Sequence, residues 1–355
     1  MLILPLKYGW CTSSLSRPLY NIDRQQLILS APLRHQCSGD YFYGRDDNLE
    51  TGIQSIESAY ATAVKDIISP GYTLTDDHRY LLKIFWLMQH LRTEAASRRA
   101  MEMSEAMRKV VGAESGLFRI EIREAVQMAM QTFAESLDIV SDLKVCLIRN
   151  RSRIPFVTSD DPAVLTNRWH LHNVKKLGRT FGLRSAGDLM LLPISPKVLC
   201  LAYDGDVHSI SHSRGWADVK GDADADAFNQ HQYLNCRANI FIKSAEHGAV
   251  VHEAYLAVAS LRPVQQHRLH YAIRDRTVGE YTRYKVVDPA TARDHSDALI
   301  HTEAVRATPA AWPRLLAWRT GASVYTNGTG LGYVRRAFIH RPTQQPFKRV
   351  PAFLS

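Results

Sequence analysis

The sequence has little cysteine and no long apolar run. Its five cysteines are scattered and have no CxxC spacing, which argues against a zinc ligand set and a disulfide framework. No uninterrupted apolar stretch reaches the roughly 18 residues that a membrane span requires, and mean hydropathy is −0.22. The apolar start, residues 1–7, lacks a basic leading region and is interrupted by Pro5. These absences predict a cytoplasmic protein that has no signal peptide and no membrane partner.

Motifs of several enzyme classes are also missing. The chain has no GxSxG elbow and no HExxH pair. The glycines at 328–332 are not followed by the lysine and helix of a phosphate-binding loop, so they indicate a turn. Hydrophobic content of 45% and charged content of 22% are ordinary for a globular protein.

Negative charge is scarce at the C-terminal end. Residues 331–355 contain no aspartate or glutamate, and the whole chain has a net charge of +9 and a pI of about 9.3. A basic balance favours polyanion partners such as nucleic acid. A solvated basic face or tail explains the same composition, and this alternative stays open.

The apolar periodicity changes along the chain. Apolar residues three and four apart predict helices over 49–68, 76–110 and 117–137, with Thr75 as an N-cap. Short apolar runs separated by turns predict strands at 143–148, 154–157, 189–192 and 198–202, followed by a helix over 222–242 and a hairpin over 323–334. The polar stretch 167–187 is expected to be a mobile loop.

This order of elements predicts an α+β fold. A helical N-terminal half would pack on a central mixed β-sheet, with a basic C-terminal extension. We expect a domain over residues 1–245 and an appended, partly β-rich segment over 246–355.

Two apolar runs stop at polar turns, Pro155–Pro162 and Leu191–Pro196, as strands do when they reach a cleft. Together with neighbouring motifs they resemble the bacterial and fungal family called domain of unknown function 4238. The motifs that carry the resemblance are Asp40–Gly44, Gln89–Thr93, Thr158–Pro162, Pro193–Pro196 and the Asn-containing run Phe228–Phe241, which the resemblance implies is a helix. The resemblance covers roughly residues 15–245, and it implies an architecture more than a mechanism. The paired histidines and proline that usually open the family are absent.

The candidate site combines the Gln89–Thr93 helix segment with the strand-end acids. Asp160, Asp161 and Arg92 are the candidate catalytic residues, with Asp160 as a Mg²⁺ ligand. Candidate binding residues are Gln89, His90, Thr93 and Ser159. Structural alternatives stay open: the acids could form a plain turn, His90 could be a core histidine, and Arg92 could form a buried ion pair with Glu50, Glu57 or Asp160.

The leading functional hypothesis is a nucleic-acid-directed, nuclease-like effector of the defence or toxin type, which would use Mg²⁺. It requires Arg92 and Asp160 to share a hollow that solvent reaches. The alternatives are a non-catalytic nucleic-acid-binding module and a scaffold that binds a protein partner.

Overall fold

The computed structural model describes residues 16–32, 47–111, 120–173, 177, 180–279, 281–291, 297–340 and 345–353. The motif at 40–44, the chain start and the loop residues Lys175, Lys176 and Arg179 lie outside the described residues. The helices are α1 (Asp47–Ile68), α2 (Asp76–Arg92), α3 (Glu94–Val111), α4 (Ile122–Glu135), α5 (Arg168–His172), α6 (Asp222–Asn235) and α7 (Gly248–Val258). Within the described part of the chain, none of them is long and apolar enough to cross a membrane.

The predicted helix over 76–110 is two helices. Thr75 caps α2, as predicted, by accepting a hydrogen bond from the His78 N–H at 3.2 Å. Thr93 separates α2 from α3 because its backbone is extended, with φ −64° and ψ 153°. Its hydroxyl then accepts the Ala96 N–H at 3.1 Å, as an N-cap side chain does. The prediction of one continuous helix was wrong because a threonine can end one helix and start the next.

The strands in chain order are β1 (Ser16–Asn21), β2 (Gln26–Pro32), β3 (Lys144–Asn150), β4 (Thr158–Ser159), β5 (Val164–Thr166), β6 (Leu189–Ser195), β7 (Val198–Tyr203), β8 (His208–Ser209), β9 (Trp216–Val219), β10 (Asn239–Phe241), β11 (His267–Val278), β12 (Tyr281–Val286), β13 (Leu299–Ala304), β14 (Ala317–Trp318), β15 (Ser323–Thr326), β16 (Tyr333–Val334) and β17 (Lys348–Pro351). The α+β class is confirmed, since α1–α4 precede most of the strands.

The central sheet has the order β5-β6-β7-β3-β9. It is mixed, because β3 and β9 are parallel while the other neighbours are antiparallel. Successive residues of a strand point to opposite faces, and both faces of this sheet are covered. On β7, Cys200 joins the core beneath α1, α2 and α4, whereas Leu199 and Leu201 join the core on the opposite face.

Helix α2 crosses the first face of the sheet, and it is buried over most of its length. The indole Nε1 of Trp86 donates to the carbonyl of Leu191 at 3.0 Å, which fixes the helix against β6. This contact connects the two sequence runs that contain the Gln89–Thr93 and Leu191–Pro196 motifs.

A second sheet, in the order β2-β1-β10-β4, lies with α6 on the other side. The predicted strand at 154–157 was wrong, because the side chain of Asn229 bonds this backbone in place of a neighbouring strand. Its Oδ1 accepts the Val157 N–H and its Nδ2 donates to the Pro155 carbonyl, both at 2.9 Å. The predicted helix over 222–242 was also too long, since α6 ends at Asn235 and residues 239–241 pair with β1 and β4.

The polar stretch 167–187 contains the short helix α5. Asn167 caps α5 by accepting the His170 N–H at 2.8 Å. Trp169 is fully buried and packs with Val324 and Ala352 from the C-terminal segment. The prediction of a mobile loop was wrong for these residues, because a cap and one large aromatic side chain are enough to anchor a short helix.

Residues after 246 belong to the same hydrophobic cores as residues of the predicted domain over 1–245. Tyr255, Leu316 and Phe338 each belong to a different buried cluster. The predicted hairpin over 323–334 is confirmed as β15 paired with β16.

Arg335 fixes the C-terminal segment to the central sheet. Its side chain is fully buried, and its Nη2 donates to the carbonyls of Ile139 and Leu183. Its other nitrogens lie 3.3 Å from Asp142 and 3.9 Å from Asp188. Arg335 is therefore an internal cation and not part of a solvated basic tail.

We expect Arg335→Gln to lower the free energy of unfolding by about 3–5 kcal/mol, because it leaves the buried Asp188 without its counter-charge. Chemical denaturation measures this change. Arg336→Gln is the matched control, since Arg336 is exposed, and it should change stability by less than about 0.5 kcal/mol. Equal effects of the two substitutions would contradict the assigned role of Arg335.

Candidate functional site

The end of α2 and the Thr158–Pro162 turn meet, as the sequence led us to expect. The Thr93 hydroxyl donates to Asp161 Oδ1 at 3.0 Å, and this carboxylate is fully buried. Arg99, one turn further along in α3, donates to Asp161 Oδ2. The two motifs of the candidate site are therefore in direct contact, but through Thr93 and Asp161.

Arg92 forms a buried ion pair. Its Nη2 lies 2.5 Å from Glu57 Oε1, and both side chains are only 1% exposed. Glu57 is one of the three partners that the sequence suggested for Arg92. A pair closed off in this way has no access to solvent, so this geometry does not give Arg92 the open hollow that a catalytic arginine requires.

Asp160 holds a turn together. Its two carboxylate oxygens accept the backbone N–H groups of Arg237, Ala238 and Asn239 at 2.8–2.9 Å. Desolvation raises the pKa of Asp160 to about 6, and the three N–H donors oppose that increase. Among the residues that the structure describes, no group of three or more histidine, cysteine or acidic side chains could hold a metal ion.

The other candidate binding residues also have internal contacts. Ser159 donates to Gln232 at 2.8 Å, and His90 lies 2.9 Å from the Ala163 carbonyl and stacks on Trp86. Desolvation lowers the pKa of His90 to about 4, with a further contribution from the charge of Arg306. Gln89 is fully buried, and neither atom of its amide has a partner within the described residues.

A basic groove lies on the far side of Asp161, between α3, α6 and the C-terminal segment. It consists of an outer groove of about 530 Å³ and an inner cavity of about 90 Å³, which share Arg99, Pro263, Gln266 and His267. The charged residues that line the two spaces are five arginines and one glutamate: Arg98, Arg99, Arg237, Arg262, Arg306 and Glu102.

Besides Arg99, which is paired with Asp161, three arginines of the groove contact an acidic residue or carbonyl oxygens. Arg98 and Arg237 share Glu94 on the rim, at 2.7 and 3.8 Å. Arg262 donates to the carbonyls of Tyr233 and Cys236, which hold its charge at the groove without neutralising it.

Arg306 differs from the other four. No carboxylate among the described residues lies within ion-pair distance of it, and its buried Nε has no hydrogen-bond partner there. Desolvation and the charge of Arg99 lower the pKa of Arg306 to about 10, while the more distant Asp161 and Asp188 oppose the decrease.

The sequence interpretation missed this groove. Arg98 and Arg99 lie in the second half of the predicted helix over 76–110, to which the sequence analysis assigned no function. Arg306 lies in a region of weak periodicity, 207 positions away from Arg99. Only the packing of the C-terminal segment on α3 and α6 brings these arginines together.

We expect Arg92→Met to destabilise the protein by about 3–5 kcal/mol, because Glu57 would remain buried and unpaired. The double variant Arg92→Met/Glu57→Leu should recover most of that loss in the same denaturation measurement. Arg98→Met, at an exposed ion pair, is the control and should cost less than about 1 kcal/mol. No recovery in the double variant would mean that the ion pair is not the reason for the loss.

Burial also lowers the pKa of His231, in the inner cavity, to about 4. A histidine whose pKa is lowered by folding must be neutral in the fold, so its contribution to stability is present at neutral pH. That contribution is lost progressively as the pH falls from the unfolded pKa near 6.5 towards the folded pKa of about 4. Between about pH 7 and pH 5, wild-type protein should lose about 2 kcal/mol relative to His231→Gln.

Paired denaturation curves at the two pH values measure this difference. His212→Gln removes an exposed histidine and is the control; a pH-dependent difference of the same size in this variant would show that the effect does not come from the burial of His231. A His231→Gln difference that is independent of pH would show that His231 titrates normally in the folded protein.

Comparisons with known proteins bear on the family only. Neither the curated proteins nor the solved structures include a match to this chain. The family described as "Protein of unknown function (DUF4238)" matches residues 8–246, which is more than half of the sequence. The matched range contains Thr93, Arg99, Asp160 and Asp161, and it ends before the C-terminal segment that completes the basic groove. The chain belongs to this family of unknown function.

Proposed function

We propose that the protein binds nucleic acid, without cleaving it, through the basic groove. The observation that carries the proposal is the lining of the groove, in which five arginines are accompanied by a single glutamate. Phosphate contacts of arginine and lysine supply most of the affinity of sequence-independent nucleic-acid binding. The net charge of +9 adds long-range attraction of the same sign.

Internal contacts fix the positions of two of these arginines before any ligand binds. Arg99 and Arg262 are fixed by Asp161 and by two carbonyl oxygens, so little side-chain entropy remains to be lost when they bind a ligand. Arg98 and Arg237 lie on the rim, where their shared partner Glu94 is half-exposed and competes only weakly with phosphate.

Binding is better supported than the nuclease-like activity of our leading sequence hypothesis. A Mg²⁺-dependent nuclease needs carboxylates that are free to hold the ion. Asp160 instead accepts three backbone N–H groups, and Asp161 accepts Thr93 and Arg99. The nuclease hypothesis stays a prediction, and the cleavage measurement below tests it.

A cytoplasmic location is part of the proposal. Nucleic acid is present there, and the three cysteines within the described residues are free and buried, as is common in a reducing compartment.

Fluorescence anisotropy with a labelled single-stranded RNA or DNA oligonucleotide tests the proposal. We expect binding that weakens steeply with added salt. Arg98→Gln/Arg237→Gln should weaken binding and reduce the salt dependence by about 0.7 in log–log slope for each lost contact. Arg153→Gln is the matched control, because Arg153 is also exposed and paired with an aspartate but lies outside the groove.

Absence of binding at low salt would contradict the proposal, and so would an equal loss of affinity in the Arg153→Gln control. The same oligonucleotides incubated with Mg²⁺ or with EDTA report on cleavage. We expect none. Mg²⁺-dependent cleavage that disappears in Asp160→Asn would support the nuclease-like function instead.

A further inference from the structure

The inner cavity is small, and four parts of the fold form its walls. Its walls come from Arg99 of α3, Val164–Thr166 of β5, the α6 residues His231 and Asn235, and the C-terminal segment that includes Arg306. At about 90 Å³ it is far smaller than the roughly 300–1,000 Å³ of pockets for drug-sized ligands. A cavity of this size accepts one small chemical group and not a whole nucleotide.

The lining of the inner cavity is positively charged. It contains Arg99 and Arg306 and no acidic side chain. Arg99 donates one of its nitrogens to the Asp161 carboxylate, which is not part of the cavity lining. Arg306 packs against the ring of Phe181, with its guanidinium carbon 5.6 Å from the ring centre, and has no ion-pair partner among the described residues. Two guanidinium groups that share a small cavity repel each other, and an anion between them would remove that repulsion.

Neutral donors complete the cavity. His231 is 3% exposed, and its Nε2 has no hydrogen-bond partner within the described part of the chain. Because burial keeps His231 neutral at pH 7, one tautomer can donate an N–H to an anion without adding charge. His267 lines both the cavity and the outer groove, and burial, Arg99 and Arg306 all lower its pKa.

We propose that the inner cavity holds the terminal phosphate group of a nucleic-acid strand, with Arg99 and Arg306 as its charged donors and His231 as a neutral donor. This inference rests on the proposed function, because the strand itself would lie in the outer groove. A terminal phosphate fits better than an internal phosphodiester for two reasons. It carries close to two negative charges at neutral pH, and it ends the chain, so a cavity of about 90 Å³ that is too small for a nucleotide can take it. The planar fork of a guanidinium suits phosphate oxygens.

The test compares four forms of one oligonucleotide. Two forms carry either a phosphate or a hydroxyl at the 5′ end and the fluorophore at the 3′ end. The other two carry either a phosphate or a hydroxyl at the 3′ end and the fluorophore at the 5′ end. For one of the two ends, we expect the phosphate to tighten binding at least about tenfold, the size of a charge-assisted hydrogen bond. Arg306→Gln should abolish this preference while the hydroxyl form still binds. Arg98→Gln, on the rim, should weaken both forms by the same factor and leave the preference intact.

Equal affinity of phosphate and hydroxyl forms at both ends would overturn this inference and leave nucleic-acid binding intact. A preference that persists in Arg306→Gln would also overturn it. Conversely, a mononucleotide monophosphate that binds with dependence on Arg306, in a protein that does not bind oligonucleotides, would support the phosphate site and contradict the proposed function. If thermal melting shows that Arg306→Gln is unfolded, Arg306→Lys takes its place, since it keeps the charge but loses the fork and should reduce the preference.

Discussion

The buried carboxylate of Asp161 is the interaction on which the rest of the site depends. Its oxygens accept the Thr93 hydroxyl and Arg99, while its backbone carbonyl accepts the Asn235 side chain at 2.7 Å. One residue thereby connects the junction of α2 and α3, the turn after β4, and α6. A fully buried carboxylate is stable only when its charge is paired and its oxygens are bonded. Arg99 supplies that charge, and the same pairing holds it at the wall of the inner cavity.

The residues that the sequence marked as catalytic have internal partners. Asp160 closes a turn onto backbone N–H groups, and Arg92 closes onto Glu57. Within the described part of the chain, Arg306 has no carboxylate at ion-pair distance, and its buried Nε has no hydrogen-bond partner. Proteins usually pair buried cations, and departures from that rule are concentrated at functional sites. This contrast is why the basic groove, and not the Thr158–Pro162 turn, is the centre of the proposed function.

Local patterns predicted the elements well where apolar residues form one helical stripe or one continuous run. The stripe Ile53–Ile67 predicted α1, and the apolar runs after residue 142 predicted β3, β6 and β7. Predictions failed where a side chain replaces regular backbone pairing. Asn229 bonds the 155–157 backbone in place of a strand, and Thr93 interrupts a helix that its neighbours would continue. The apolar periodicity of the sequence does not reveal such contacts, because they join residues far apart in the sequence or depend on one hydroxyl group.

The sequence by itself determined the α+β class and the family. These features follow from apolar periodicity and from motif order, which are local properties of the chain. Tertiary structure alone decided which charges are paired and which remain available. Arg92 and Arg99 lie in the same region of the chain, and each pairs with a buried carboxylate, yet Arg92 is sealed against Glu57 whereas Arg99 also faces a cavity completed by Arg306. The energy of a charge depends on its burial and on its nearest partners, and the fold sets both.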